Sequence, residues 1–309
     1  MPEARVIPLH GDQRSPNGRP VPPTLVPADA DEPQPPNRML EFLARRLSGD
    51  YRVDEFGFDP ELTDEVLLPL LRPLYSTWFR VETIGVPHLP ETGAALIVAN
   101  HSGTVPIDSL MTGVAIHDET PNHRHLRMLA ADLVFTLPFV GSLARKSGQT
   151  LACQPDAERL LGAGELVGVW PEGFKGIGKP FRDRYKLQRF GRGGFVSAAL
   201  RTGVPIIPCS IVGAEEIYPL IGNIKPLARL LGAPYFPVTP LFPLMGPLGM
   251  VPLPSKWYIE FGAPIRTDTI GAAEADDPMT VFNLTDQVRE TIQHTLYRLL
   301  SQRRNPFTG

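Results

Sequence analysis

Short apolar runs alternate with longer amphipathic segments along most of this chain. The apolar runs fall at residues 94–99, 126–131, 150–153, 164–170, 204–212 and 256–261, and residues 80–85 have the pattern of an edge strand. Strands that alternate with helices in this way predict βαβ units and a parallel sheet. The sequence therefore predicts an α/β fold with a mainly parallel central sheet flanked by helices.

The clearest helical patterns have apolar positions on one face and lie at residues 38–48, 64–79, 106–117, 135–145 and 278–302. In the second segment, Pro69 and Pro73 are expected to kink or split the helix, because proline cannot donate a backbone hydrogen bond. In the fourth segment, four apolar side chains are expected to face the core: Leu137, Phe139, Val140 and Leu143.

Composition divides the chain into three parts. Residues 1–37 are rich in Pro, Asp and Gly, which predicts a disordered tail. Residues 38–79 form an N-terminal helical segment, and residues 80–309 are expected to form one α/β domain. The 42% of hydrophobic residues among 309 is enough for a substantial core.

Charge and cysteine content limit the function classes. The formal net charge of −3 gives no electrostatic reason to expect binding to nucleic acid. The two cysteines, Cys153 and Cys209, both fall in apolar elements, which favours a reducing compartment over a disulfide framework.

A loop after the first central apolar run carries the strongest candidate chemistry. Asn100 and His101 follow that run, and Asp108 comes after Pro106, which suits the start of a helix. Ligands of open α/β sheets bind beyond the carboxyl ends of the strands. A histidine there, with a carboxylate to orient it, can act as a general base. The non-catalytic alternative is that Asp108 only complements the helix dipole and that His101 only hydrogen-bonds to its own backbone.

A second motif, Pro171-Glu172-Gly173-Phe174-Lys175, follows the apolar run at 164–170, and a Val-Pro-Ile-Ile-Pro segment follows at 204–208. Together with Asn100-His101 and Asp108, this order of motifs resembles the glycerolipid and lysophospholipid acyltransferase family over residues 79–264. The resemblance implies His101 and Asp108 as the catalytic pair. It also implies a fatty acyl group passed from acyl-CoA or acyl-carrier protein to a lipid hydroxyl, with no other cofactor.

The resemblance further implies where substrates bind. Glu172 and Gly173 would line the acceptor site, and Lys175, with Lys179 or Arg182, would bind phosphate of acceptor or donor. Backbone N–H groups of Ser102, Gly103 or the helix start are candidates to stabilise the oxyanion.

This chain departs from the family pattern in its spacing and in its second motif. Six residues separate His101 from Asp108, where the usual pattern has four, and Phe174 and Lys175 replace the usual threonine and arginine. The changed spacing keeps open the alternative of a lipid-binding, membrane-peripheral protein without turnover. A lipid hydrolase that uses the same groups is a third alternative.

The second motif opens a basic stretch. Between Pro171 and Gly194 there are seven basic residues and two acidic ones, the basic ones being Lys175, Lys179, Arg182, Arg184, Lys186, Arg189 and Arg192. A phosphate-binding surface and an ordinary solvated face are both consistent with this run.

The sequence predicts peripheral membrane contact rather than a spanning helix. The best candidate for a span, residues 235–254, has no charged residue but contains six prolines, which would break a spanning helix. Its apolar side chains could dock on a membrane or cover an acyl groove. We expect a cytoplasmic protein, peripheral to the inner face of the membrane.

Three histidines lie close together in sequence, His117, His123 and His125, with Asp118 among them. Their spacing matches no standard zinc pattern and no cysteine joins them. We therefore expect a solvated turn and no metal site.

Overall fold

The computed structural model describes residues 5–7, 35–102, 104–191, 193–232 and 234–308. The strands are β1 (Arg5–Ile7), β2 (Arg52–Asp54), β3 (Glu82–Ile84), β4 (Ala95–Ala99), β5 (Leu126–Ala130), β6 (Gln149–Leu151), β7 (Leu166–Val169), β8 (Ile206–Val212), β9 (Gly222–Asn223), β10 (Pro237–Val238) and β11 (Tyr258–Phe261).

Seven of these strands form the central sheet, in the order β3-β11-β8-β4-β7-β5-β6. Neighbouring strands run parallel except β11 and β8, which are antiparallel. The predicted α/β fold with a mainly parallel sheet is therefore confirmed, and the predicted edge strand, β3, lies at the edge. Outside this sheet, β1 pairs with β2 and β9 with β10.

The α-helices are α1 (Pro35–Ser48), α2 (Pro60–Leu62), α3 (Leu68–Pro73), α4 (Ile107–Glu119), α5 (Asp132–Thr136), α6 (Val140–Lys146), α7 (Gln154–Gly162), α8 (Phe174–Ile177), α9 (Gly194–Thr202), α10 (Lys225–Leu230) and α11 (Pro278–Gln302). Short 3₁₀ turns occur at Val86–His88, Phe181–Asp183, Ala214–Glu216, Gly246–Met250 and Ala272–Asp276.

The core lies on both faces of the sheet. All five residues of β4 and all seven of β8 are buried, as expected for parallel strands covered on two sides. Successive side chains of a strand point to opposite faces. Ile97 therefore packs with the residues of α4, whereas Leu96 and Val98 pack with those of α7, α9 and α11. This arrangement places the loop after β4 at the centre of the sheet's carboxyl edge.

One helical path runs from Pro60 to Trp78. It consists of α2, a π-helical turn at Thr63–Leu67, α3 and a second π-helical turn at Leu74–Trp78. The prolines were expected to kink or split this helix; the path continues through Pro69 and Pro73 without a break. Instead the hydrogen bonding widens in the adjoining turns, as in the bond from Phe79 N to Leu74 O.

The prediction of one inward-facing helix at residues 135–145 is wrong. Two short helices, α5 and α6, replace it, because Pro138 separates them and the following Phe139 has a positive φ of 62°. The four apolar side chains are exposed by 46% at Leu137, 91% at Phe139, 48% at Val140 and 48% at Leu143. They are not part of either core cluster.

The predicted disordered tail, residues 1–37, lies mostly outside the described residues. Its described parts are β1 and the first residues of α1. The predicted helix at 38–48 corresponds to α1.

Candidate active site

His101 and Asp108 contact each other at the carboxyl end of β4. His101 Nδ1 lies 2.8 Å from Asp108 Oδ2, which is hydrogen-bonding distance. The Asp108 side chain is fully buried, and the His101 side chain is 13% exposed. A buried carboxylate on Nδ1 leaves Nε2 as the imidazole nitrogen that can exchange a proton with a ligand.

The loop brings His101 and Asp108 together despite their longer separation in sequence, because the helix starts late. Pro106 precedes the first residue of α4, and Asp108 lies in its first turn. The Asp108 carboxylate also accepts hydrogen bonds from the backbone N–H groups of Ser102 and Ser109, both at 2.9 Å. The carboxylate thus orients the imidazole and also ties the loop to α4.

Two tyrosines hold the middle of the loop. Thr104 has a left-handed φ of 63°, an uncommon conformation for a residue with a branched side chain. Tyr235 donates a hydrogen bond to the Thr104 carbonyl, and the Thr104 hydroxyl donates to the Tyr218 carbonyl at 3.1 Å. These contacts bridge more than a hundred residues, so no local pattern could have indicated them.

Asn100 joins the loop to the neighbouring strand. Its side-chain amide donates to the Ile211 carbonyl at 3.0 Å and accepts from the Ile211 N–H at 2.7 Å. Asn100 is 1% exposed. It therefore positions His101 without facing the cavity, a role that the sequence motif did not reveal.

Glu172, which the family resemblance places at the acceptor site, is buried. Its side chain is fully buried. One carboxylate oxygen accepts the His101 backbone N–H at 2.9 Å, and the other accepts the Gln188 N–H at 2.6 Å. The expectation from the family resemblance is corrected here: Glu172 holds the backbone of the histidine and has no face open to a ligand.

Lys179 is not a phosphate ligand at the surface either. Its side chain is 2% exposed, and its ammonium lies 2.9 Å from Glu215 and 3.7 Å from Glu172. Burial raises the pKa of Glu215 to about 7, although the Lys179 ammonium opposes that shift. Because the partner, Glu215, is distant in sequence, the basic run alone could not predict that Lys179 is buried in an ion pair.

The other predicted binding residues lie in different settings. Lys175 is exposed on α8, and Gly173, just before α8, has a φ of 53°. The Arg182 side chain is 85% exposed and lies 3.5 Å from Asp183. Gly103 is outside the described residues. The Ser102 N–H is already bonded to Asp108, so it is not available to an oxyanion.

Two buried polar atoms near His101 have no hydrogen-bond partner in the described part of the chain, Ser102 Oγ and Trp170 Nε1. The Trp170 ring centroid lies 6.0 Å from that of His101. Buried polar groups are rarely left unpaired, so unpaired ones beside His101 are candidates to bind a ligand.

A cavity of about 800 Å³ is lined by His101 and by residues along α4. Its volume is within the range of small-molecule sites, about 300–1,000 Å³. Its lining is mainly apolar and includes Val105, Leu110, Val114, Leu129, Trp170 and Phe174. Leu137, Val140 and Leu143 also line it. These side chains were predicted to face the core, and they face the cavity instead.

Residues 235–254 do not cover this cavity: none of its described lining residues comes from that segment. Several apolar side chains of the segment are exposed instead, including Leu244 at 88% and Leu248 at 67%. Along the described chain, no helix combines the length and apolar character that crossing a membrane requires.

Comparison with known proteins identifies the family. A family model described as Acyltransferase matches residues 80–212. An uncharacterized protein of Mycobacterium tuberculosis is 65% identical over 268 residues, covering 87% of this chain and 75% of its own length. A similar protein of Mycobacterium leprae is 63% identical over 268 residues, covering 87% of this chain and 73% of its own. The chain belongs to the acyltransferase family.

Two more distant matches have descriptions that name an activity. A Bos taurus protein described as a DGAT1/2-independent enzyme synthesizing storage lipids is 26% identical over 201 residues, which are 64% of this chain and 56% of that protein. The crystal structure of the 1-acyl-sn-glycerophosphate acyltransferase PlsC from Thermotoga maritima aligns with a TM-score of 0.48 and 20% identity, covering 78% of this chain and 83% of that one.

Proposed function

We propose that this protein transfers a fatty acyl group from a thioester donor, acyl-CoA or acyl-carrier protein, to a hydroxyl of a lysophospholipid, a glycerolipid or a related lipid alcohol. One observation carries the proposal: His101, hydrogen-bonded to Asp108, lines a large, mainly apolar cavity. The pair supplies proton transfer, and the cavity supplies a place for an acyl chain.

In the proposed mechanism, His101 Nε2 removes the proton of the acceptor hydroxyl as its oxygen attacks the thioester carbonyl. Asp108 keeps the imidazole oriented and stabilises its protonated form. The tetrahedral intermediate then collapses, the carbon–sulfur bond breaks, and the departing thiolate takes the proton from His101. The protein returns to its starting state without an acyl-enzyme.

The developing oxyanion needs hydrogen-bond donors, each of which can contribute about 10²–10³ in rate. Trp170 lines the cavity, and its Nε1 has no hydrogen-bond partner in the described part of the chain, so this N–H replaces the Ser102 N–H as the proposed donor. Lys175, exposed next to the cavity-lining Phe174, is the proposed contact for phosphate of the donor or acceptor.

Contact with the membrane is proposed to be peripheral, on its inner face. Exposed apolar side chains support it: Leu40 and Leu47 of α1 are 65% and 83% exposed, and Leu244 and Leu248 add to them. Contiguous exposed apolar surface commonly marks a protein or membrane interaction site.

The alternative of lipid binding without turnover was motivated by the changed spacing of the histidine and the aspartate. The two side chains are nevertheless 2.8 Å apart, so the changed spacing gives no reason to prefer that alternative.

The test is an acyl-transfer assay with the purified full chain. Radiolabelled long-chain acyl-CoA or acyl-carrier protein is offered with a panel of lysophospholipids, glycerides and alcohols, and labelled products are separated from free fatty acid. We expect labelled ester with at least one acceptor. Labelled free fatty acid alone would identify a hydrolase, and bound but unreacted lipid would favour the non-catalytic alternative.

A further inference from the structure

A second polar cluster lies at the other end of the cavity from His101. It joins Asp64 of the first π-helical turn, His117 near the end of α4, and His125 just before β5. Each residue offers one ligand atom, and these atoms lie within 4.8 Å of one another. Three separate elements thus present two imidazoles and a carboxylate to one point.

The distances in this cluster suit a metal ion better than hydrogen bonds. Asp64 Oδ1 lies 3.4 Å from His117 Nε2 and 3.5 Å from His125 Nε2. An N–H···O hydrogen bond spans about 2.7–3.2 Å. Around tetrahedral zinc, with metal–ligand bonds of about 2.0–2.1 Å, neighbouring ligand atoms lie roughly 3.3–3.4 Å apart. Both measured separations are close to that edge length.

The carboxylate oxygen between the two imidazoles is itself unsatisfied. Asp64 Oδ1 is buried and has no hydrogen-bond partner in the described part of the chain. An unpaired buried oxygen requires a physical reason, and a bound cation is one.

The surroundings of His117 match those of a metal-binding histidine. Its other ring nitrogen, Nδ1, lies 3.0 Å from Asp118 Oδ1. Arg72 fixes that aspartate by two hydrogen bonds of 2.8 Å. A carboxylate on Nδ1 sets the tautomer that leaves the Nε2 lone pair free, an arrangement found behind most metal-bound histidines.

We propose that Asp64, His117 and His125 bind a divalent transition-metal ion, with Zn²⁺ as the best fit. Two imidazole nitrogens and one carboxylate suit zinc, whereas Mg²⁺ and Ca²⁺ prefer oxygen ligands throughout. Three protein ligands leave a fourth position. Because His117 and His125 line the cavity, that position opens toward it.

The proposed ion would link the N-terminal helical path to the α/β domain. Asp64 lies in that path, whereas both histidines belong to the domain that carries the sheet. The ion would also place a charge at the far end of an otherwise apolar cavity. The sequence could not indicate this site, because Asp64 is 53 positions before His117 and belongs to another element.

Metal binding is tested directly, without an activity assay. Untagged full-length protein is stripped with a chelator, and separate samples are dialysed against Zn²⁺, Co²⁺ or Mg²⁺ at the same concentration and analysed for bound metal. We expect about one Zn²⁺ per chain, no retained Mg²⁺, and a visible Co²⁺ spectrum of tetrahedral type. Thermal unfolding should shift upward as the Zn²⁺ concentration rises, since only the folded chain presents the three ligands together.

Single-residue variants test which side chains bind the metal ion. Asp64→Asn and His125→Gln should each weaken Zn²⁺ binding by at least tenfold, while circular dichroism confirms that they fold. His123→Gln is the matched control, because the His123 ring stacks on His117 at 5.2 Å but is not one of the three ligands. Equal Zn²⁺ binding by the parent and by Asp64→Asn would overturn the proposal, and so would loss of binding in His123→Gln alone.

Discussion

The carboxylate of Glu172 accepts a hydrogen bond of 2.9 Å from the backbone N–H of His101. The two residues follow neighbouring parallel strands, β4 and β7, so their loops meet at the same edge of the sheet. Glu172 therefore fixes the main chain of the proposed base, while Asp108 fixes its ring. The proposed base is held in two independent ways, and each can be tested.

Glu172→Gln should reduce kcat while leaving KM for both substrates close to that of the parent. The amide can replace only one of the two accepting oxygens, so either the His101 or the Gln188 N–H loses its partner. Such a loss costs about 1–3 kcal/mol of unfolding free energy. Steady-state kinetics and thermal unfolding measure the two effects. A rise in KM for the acceptor, with kcat unchanged, would restore Glu172 as a substrate contact.

His101→Ala should lower acyl transfer by about 10²–10⁴, the usual effect of losing a general base, without unfolding the protein. His294→Ala is the matched control, since His294 is exposed on α11. Transfer rates of His101→Ala within a few-fold of the parent would exclude this histidine from the mechanism.

Asp108→Asn should impair transfer by up to about 10⁴, because the amide keeps the shape but not the charge that supports the imidazolium. It should also destabilise the loop, since the carboxylate accepts from two backbone N–H groups. Thermal unfolding and single-turnover rates separate these effects. An Asp108→Asn protein as active as the parent would show that another group orients His101.

Lys175 and Lys179 should behave differently although both belong to the same basic run. Lys179→Ala leaves Glu172 and Glu215 buried without their cation, and breaking a buried ion pair costs about 3–5 kcal/mol. Lys175→Ala changes an exposed side chain and should alter stability by no more than about 0.5 kcal/mol. It should instead raise KM for phosphorylated substrates.

Denaturant unfolding and KM at two salt concentrations test this contrast, because a surface ionic contact weakens as salt is added. Equal stability of the two variants would contradict the ion-pair assignment. If KM does not depend on salt in either the parent or Lys175→Ala, the basic stretch is a solvated surface and does not bind phosphate.

Replacing Leu244 and Leu248 together with serine should abolish flotation with anionic liposomes and leave thermal stability within a degree or two. Both side chains are mostly exposed and contribute little to folding. Phe282→Ser is the control, since that side chain is 61% exposed on α11, outside the segment. Undiminished flotation of the double variant would remove this segment from the proposed membrane contact.

Local patterns predicted the main features of the fold and of the reactive loop. The apolar runs of β4, β7 and β8 are long enough to specify buried strands, and Pro106 sets the helix start that brings Asp108 to His101. These features depend on residues within a dozen positions of one another.

The features that the sequence could not predict depend on contacts between residues that are far apart in the chain. Lys179 had the pattern of a surface cation because its partner, Glu215, lies 36 positions away. The apolar spacing at 135–145 was detected correctly, but spacing alone does not distinguish a side chain that faces the core from one that faces a cavity. Pro138 was the local signal that one helix could not continue.

The Asn100 amide meets both backbone groups of Ile211, one as donor and the other as acceptor. It thereby imitates a peptide group and extends the hydrogen bonding between β4 and β8 by one pair of bonds, while the main chain turns away toward the histidine. Aspartate would lack the donor, and glutamine would overreach by a methylene group. The geometry of this pairing therefore favours asparagine at this position, so we expect substitutions here to be poorly tolerated although Asn100 is not among the described residues that line the cavity.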